Sequence, residues 1–195
     1  MMLSVLLKHL DHHRVILASQ SPRRFELLRD CGLCFEVIPS SFEENLPKEQ
    51  FPTPDRYVLE NAKQKALDVL NRVSHEKQAH SKLSTIVIGC DTVVVLDGII
   101  LEKPEDEEDA FNIGGMNNPH LFYEKTSLLF GHLEPEDIRA YIATGEPMDK
   151  AGAYGLQGQA RCFVKEIHGC SNNVIGFPVQ RFCQELKYLA SRNEM

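Results

Sequence analysis

Two apolar runs constrain the fold of this 195-residue chain more than any other feature. Arg14–Ala18 (RVILA) and Thr85–Gly89 (TIVIG) are hydrophobic without alternation. A strand covered on one face alternates apolar with polar residues, whereas a strand covered on both faces does not. Both runs therefore predict interior strands of a sheet flanked by helices. Each run gives way to polar residues, Ser19-Gln20-Ser21 after the first and Asp91-Thr92 after the second. The carboxyl ends of such strands are where open α/β sheets hold ligands.

The rest of the pattern interleaves helices with strands, which sets the class as α/β. Residues 1–13 read as a short amphipathic arm. Ser21 suits an N-cap and Pro22 a first helical position, for a helix ending near Gly32. Phe35–Ile38 predicts a second strand, and Ser40–Pro54 an acidic loop. Asp55 is expected to cap a long helix reaching Val73, with Tyr57, Val58, Ala62, Ala66, Leu67 and Leu70 as its apolar stripe. Asp97-Gly98 predicts a hairpin turn inside VVVLDGIIL. Glu105–Asn112 reads as an acidic helix, IGGMNNPH as a loop and Tyr123–Phe130 as a strand. A helix is expected from Glu134-Pro135 through Tyr141, then Gly-rich turns over 145–161, a strand over Phe163–Ile167 and a closing helix over Pro178–Leu189. One domain over 14–190 follows, with a tail at 191–195.

Composition excludes several classes. A formal charge of -7 argues against a basic coat for nucleic-acid polymers, while leaving room for a local basic pocket. Hydrophobic residues at 43% exclude a disordered chain. No apolar run reaches the roughly eighteen residues that span a membrane. The apolar part of the first residues is short and interrupted by Lys8, so it does not read as a secretory signal. Six cysteines without such a signal are expected as reduced thiols in a cytoplasmic protein.

Five segments carry chemistry. Ser19–Arg24 (SQSPRR) joins a strand end to a helix start, where free amides, Ser21, Arg23 and Arg24 suit phosphate oxygens. Glycine spacing excludes a P-loop. Asp91 at a strand end is a candidate general base or divalent-metal ligand, with Thr92 beside it. Lys103, in Glu102-Lys103-Pro104, suits triphosphate charge or a base carbonyl. In GEPMDKAGAYGLQG, Asp149 and Lys150 suit phosphate or metal, and Gln157 offers a donor and an acceptor for a base edge. Glu43-Glu44 and the helix lysines Lys63 and Lys65 read first as solvated faces, with a part in phosphate or metal binding as the alternative. Cys31-x-x-Cys34 lacks a second ligand pair and reads as ordinary thiols.

These motifs resemble the Maf family of nucleoside-triphosphate pyrophosphatases. SQSPRR, FEVIPSSFEE, NAKQKA, GCDTVV, LEKP, GEPMDKAGAYGLQG and NNVIGFP occur in the family's order across residues 14–190. The resemblance implies an elongated mixed sheet flanked by helices, with a nucleotide cleft between two lobes. It implies hydrolysis between the α and β phosphates, a divalent cation (Mg²⁺ or Mn²⁺), and a homodimer. Asp91 matches the proton acceptor. Ser21, Arg23, Arg24, Glu44, Lys65 and Lys103 match the nucleotide site, and Glu44 with Asp91 would hold the metal. Arg24, Thr92 and Gln157 match the dTTP/UTP branch. The methylated-GTP branch, the alternative, typically has an aromatic residue for the second arginine and an acidic residue for Lys103. Arg23, Arg24, Lys103 and Asp91 are thus expected to converge on one polyphosphate chain.

Two departures stand against this pattern. After EKPEDEEDAFNI the family completes a helix, a Leu-x-Gly turn and a strand bearing His and Thr-Gly-Val, whereas here GGMNNPH leads directly into YEKTSLLF. Losing a strand exposes a sheet edge or leaves a gap in the core. Gln159-Ala160-Arg161 replaces a pair of glycines, so Arg161 is expected to crowd the pocket mouth. The shortening supports a rival reading, a nucleotide-binding protein with weak or absent turnover. A third reading is a structural remnant that binds no nucleotide.

Overall fold

The computed structural model describes residues 7–75, 84–96, 99–101, 110–115 and 118–192. The two apolar runs form β1 (His13–Ala18) and β3 (Ser84–Asp91). They are parallel neighbours, in register from His13↔Ser84 to Ala18↔Gly89. β2 (Glu36–Val37) adds in parallel outside β1. β6 (Ala110–Gly115) pairs antiparallel with the other side of β3, and β7 (Asn118–Tyr123) with β6. The five-stranded sheet therefore runs β2-β1-β3-β6-β7.

Both faces of β1 and β3 are covered, as their lack of alternation requires. On one face Leu17, Ile88 and Cys90 join Leu28 of α1 (Pro22–Asp30) and Phe182, Leu186 and Leu189 of α5 (Val179–Ser191). On the other, Ile16, Ala18 and Val87 meet Ala66, Val69, Leu70 and Val73 of α2 (Pro54–His75). Gly89 allows the close approach of α2. A Cβ there would stand 2.2 Å from the Ala62 carbonyl oxygen.

Two antiparallel ribbons complete the fold. One pairs β4 (Val94–Leu96) with β5 (Ile99–Leu101), and Leu96↔Ile99 leaves a two-residue connection. The connecting Asp97-Gly98 lie outside the described residues. The other pairs β8 (Ser127–Phe130) with β9 (Val164–His168). Before β9 come α3 (Pro135–Ala143) and short 3₁₀ turns between Glu146 and Cys162; after it comes the one-turn α4 (Ser171–Ile175). The architecture is α/β, with mixed sheets flanked by helices.

Ser21 caps α1 as expected, its hydroxyl accepting from the Arg24 amide at 3.4 Å with Pro22 at the first helical position. Asp55 is no cap. α2 begins at Pro54, and the Thr53 carbonyl accepts the first amides, from Arg56 and Tyr57. The largest correction concerns the middle of the chain. Ala110–Asn112, expected as the end of a helix, and most of IGGMNNPH, expected as a loop, are the strands β6 and β7. The cause is tertiary: the outer side of β3 presents unpaired backbone groups, and pairing them outweighs local propensity. Residues 102–109, which hold the rest of the expected helix, lie outside the described residues. The expected strand 123–130 breaks at 124–126 and divides between two sheets. Asn173 spans the break, donating to the Glu124 carbonyl and to Thr126 Oγ1, each at 3.1 Å.

β7 ends the sheet, with Leu121 and Tyr123 exposed and Phe122 buried. The first residues of the expected arm lie outside the described residues, while residues 7–10 are helical and His13 already belongs to β1. Among the described residues no helix is long and apolar enough to cross a membrane. All six cysteines are free.

Gly89→Ala is expected to destabilise the fold by about 3 kcal/mol, because the added methyl group meets backbone rather than a movable side chain. The denaturant midpoint, with an unchanged slope, measures this.

Candidate active site

The end of β3 divides the site in two. Successive side chains of a strand point to opposite faces. Cys90 faces the α1/α5 side, and Asp91 faces α2. Each face carries a buried cation.

On the first face Arg24 is 4% exposed. Its guanidinium donates to the Gly176 carbonyl (3.0 Å), Ser19 Oγ (3.1 Å), the Cys90 carbonyl (3.3 Å) and Thr92 Oγ1 (2.6 Å). These bonds satisfy a charge that burial would otherwise penalise heavily. They also tie the SQSPRR turn, β3 and the segment after α4 into one unit.

On the second face Lys65 Nζ lies 2.7 Å from Asp91 Oδ1 and 2.7 Å from Glu44 Oε2. Asp91 is 1% exposed, and its Oδ2 has no hydrogen-bond partner. Burial pushes its carboxyl up to about 8; Lys65 opposes that shift and Glu44 adds to it. Asn61, four residues before Lys65 on the same face of α2, is fully buried with neither amide atom bonded.

A cleft of about 1210 Å³ opens beside the first face. Ser21, Arg23, Arg24, Thr92, Lys150 and Gln157 line its polar part, and Val95, Leu96, Ile138 and Ile142 part of its apolar wall. Arg23 Nη1 stands 3.9 Å from the exposed Asp149 carboxylate. The Lys150 ammonium bonds the Glu146 carbonyl and Asp149 Oδ1, both at 2.6 Å. The Lys150 bond and, more weakly, Arg23 hold the Asp149 carboxyl below its ordinary range against some burial. Gln157 is exposed at the cleft.

The expected convergence is therefore only partly formed. Arg23, Arg24, Ser21, Thr92, Lys150 and Gln157 share the cleft. Asp91, Glu44 and Lys65 form a separate cluster across β3, outside the cleft wall. The alternation of β3 is the cause, since Asp91 and its neighbours cannot face the same way. Lys103 lies outside the described residues. Arg161 does not crowd the mouth: its guanidinium turns back onto the Gln157 and Gly158 carbonyls.

The donor set suits a small divalent cation. Mg²⁺ commonly takes one or two carboxylates and completes its shell with water and substrate phosphate. Glu44 and Asp91 supply two carboxylates, and Asp91 Oδ2 is an unpartnered oxygen. Lys65 holds both carboxylates and would compete with the ion. Among the described residues no group of three side chains forms a ready metal site.

Sequence reasoning missed Asn61, Ser19 as a partner of Arg24, and Asn173. Asn61 had a legible signal: Val58, Asn61 and Lys65 fall on one helical stripe, where a polar residue is out of place.

The fold and site define an α/β protein with an anion-accepting cleft at the carboxyl end of its central strands. A family model described as "Maf-like protein" matches residues 14–115 and 114–189. The chain belongs to that family. The two matches meet where β6 ends, at the departure noted in the sequence. A human protein named "Probable bifunctional dTTP/UTP pyrophosphatase/methyltransferase protein" is 42% identical over 211 residues, covering 95% of this chain and 34% of that protein. This chain thus spans about a third of that relative. The dTTP/UTP pyrophosphatases of Agathobacter rectalis and Caldicellulosiruptor bescii are 41% and 37% identical, covering 90% and 93% of this chain and 97% and 99% of theirs.

Two outcomes follow from the buried cluster. With chelator present, the folded protein keeps the Asp91 proton up to about pH 8, whereas the unfolded chain releases it near the ordinary 3.8. The folded state therefore binds more protons in that window, and its stability falls as pH rises through it. Asp91→Asn should flatten this slope in melting temperature against pH. Asn61→Leu, nearly equal in shape, should raise unfolding free energy by about 1 kcal/mol by removing unbonded polar atoms, as read by denaturant titration.

Proposed function

We propose that this chain is a nucleoside-triphosphate pyrophosphatase acting on dTTP and UTP. It would cleave the α–β anhydride to a nucleoside monophosphate and pyrophosphate. The single observation carrying this reading is Asp91: a buried carboxylate with one unpartnered oxygen, next to a residue that lines an arginine-bearing cleft. The names of the relatives supply the substrate class, and Gln157 at the cleft suits a uracil or thymine edge.

On this reading the polyphosphate crosses the end of β3. Arg23, Ser21 and Lys150 offset its charge, and Arg24 holds Thr92 in place. In its ionised form, which a cation held beside it would favour, Asp91 takes a proton from the attacking water as oxygen bonds to the α phosphorus and pyrophosphate leaves. Lys65 keeps the Asp91 carboxylate oriented through Oδ1 and leaves Oδ2 for that proton. A divalent cation held by Glu44 and Asp91 would supply charge neutralisation at the phosphoryl group. Asp91 is 1% exposed, so turnover requires this cluster to open toward the cleft when nucleotide binds. The role of Lys103 rests on the LEKP motif. The family resemblance adds a homodimer, and six free cysteines favour a cytoplasmic setting.

A second reading is nucleotide binding without turnover. It is favoured by the burial of Asp91 and by the family match that divides at residues 114–115.

The purified chain with Mg²⁺ or Mn²⁺ is expected to release pyrophosphate and monophosphate in equal amounts from dTTP and UTP. Asp91→Asn should lower kcat by about a hundredfold or more while nucleotide binding persists. Saturable binding with no pyrophosphate release would select the second reading, and absence of binding would reject both.

A further inference from the structure

The loop that carries Gln157 is held from both sides by residues outside the nucleotide-contacting set. Glu146 lies at the start of the 3₁₀ turns, and its carboxylate accepts from Tyr141 Oη at 3.0 Å and from the Gln159 amide at 2.9 Å. The same Tyr141 hydroxyl accepts the Gly155 amide at 3.2 Å. Gly155 and Gln159 bracket Gln157 by two residues on each side. Arg161 then donates to the Gly158 carbonyl at 3.2 Å and to the Gln157 carbonyl itself. Four consecutive bonds thus fix the backbone on both sides of one exposed side chain at the cleft.

Packing supports the same conclusion. A Cβ on Gly158 would fall 1.9 Å from Glu146 Oε1, and one on Gly155 would fall 2.6 Å from Lys150 Cε. The loop has closed onto the Glu146 and Lys150 side chains as far as glycine permits. Tyr141 is itself fixed, packed edge-on against Phe163 with ring centroids 5.3 Å apart. A hydrogen-bonding side chain discriminates between bases only when its backbone is held, because a mobile amide can turn to suit either edge. Arg161, where the family carries glycine, supplies one of the ties.

We propose that Glu146 and Arg161 are positioning residues that lock the Gly155–Gln159 loop and so set the base preference of the cleft through Gln157. This rests on the nucleotide reading above and deepens it by assigning the origin of specificity.

The test uses binding, so it does not depend on turnover. Dissociation constants are measured for non-hydrolysable α,β-methylene analogues of UTP and GTP, with pyrophosphate as a base-free control. Wild type should prefer the UTP analogue. Glu146→Gln keeps the size but sets an amide against the loop donors, and should cut the UTP/GTP preference about tenfold. Arg161→Ala, at an exposed position, should cut it severalfold with an unchanged melting temperature. Pyrophosphate affinity should stay the same in both. In a Gln157→Ala background, Glu146→Gln should produce no further loss, because both act through one side chain. Gly158→Ala should mimic Glu146→Gln, because its methyl group displaces the Glu146 carboxylate from the loop.

An unchanged preference in folded Glu146→Gln and Arg161→Ala overturns the proposal, as does a full additional loss on top of Gln157→Ala. Equal loss of pyrophosphate and nucleotide affinity also overturns it, since that marks general damage to the cleft. If wild type binds pyrophosphate but neither analogue, the nucleotide reading has failed and this one with it, a pattern distinct from the others.

Discussion

Two cations are buried at the carboxyl end of one strand, one on each face, and the rest of the site follows from how they are satisfied. Arg24 donates to neutral oxygens. It is held by carbonyls and hydroxyls drawn from the strand ends and from Gly176. Lys65 lies against two carboxylates, Asp91 and Glu44. The difference decides what each cation does to its surroundings. Arg24 brings a positive charge to a cleft suited to phosphate. Two carboxylates stand within 2.7 Å of the Lys65 ammonium. Burial raises the Asp91 carboxyl, Glu44 adds to the rise, and Lys65 and Arg24 oppose it.

The strand between them has to be buried on both faces for this to happen. A half-solvated strand would let one cation reach water, and its partners would be surface ion pairs of little consequence. The non-alternating pattern of RVILA and TIVIG is therefore more than a fold signal, because it sets the low dielectric in which the site groups act. Gly89 serves the same end. It draws α2 close enough for Lys65 to reach the strand terminus, and a side chain at that position would hold the helix away.

Much of this was legible in the sequence, for physical reasons that vary with the element. Interior strands and the Ser21-Pro22 helix start are local signals, and the structure reproduces them. The motif residues around Ser19–Arg24 and Gly145–Gly158 were recognisable because glycine, proline and capping hydroxyls dictate backbone shape nearby. The middle of the chain was not legible. AFNIGG and NPHLFY have no period that marks a strand, and they become strands because the edge of β3 supplies the partner. The facing of Asp91 toward α2 was available in principle, because Asp91 stands between Cys90 and Thr92 on a strand of period two and so faces the layer opposite Cys90.

The shortened centre bears on function through connectivity rather than through the loss of site residues. Residues before it supply Ser21, Arg23, Arg24 and Thr92 to the cleft; residues after it supply Lys150 and Gln157. The two sets meet at the cleft only if the chain between them holds the second set against the first. Here that link is the β6–β7 ladder, followed by the break at 124–126 that Asn173 ties to Glu124 and Thr126. Gly176, three residues after Asn173, returns a carbonyl to Arg24. One short helical turn thus fastens both the departing strand and the buried arginine. On the proposed reading, nucleotide affinity depends on whether Asn173 and the Arg24–Gly176 bond hold the two halves in register, and catalysis depends further on Asp91 reaching the cleft those halves enclose.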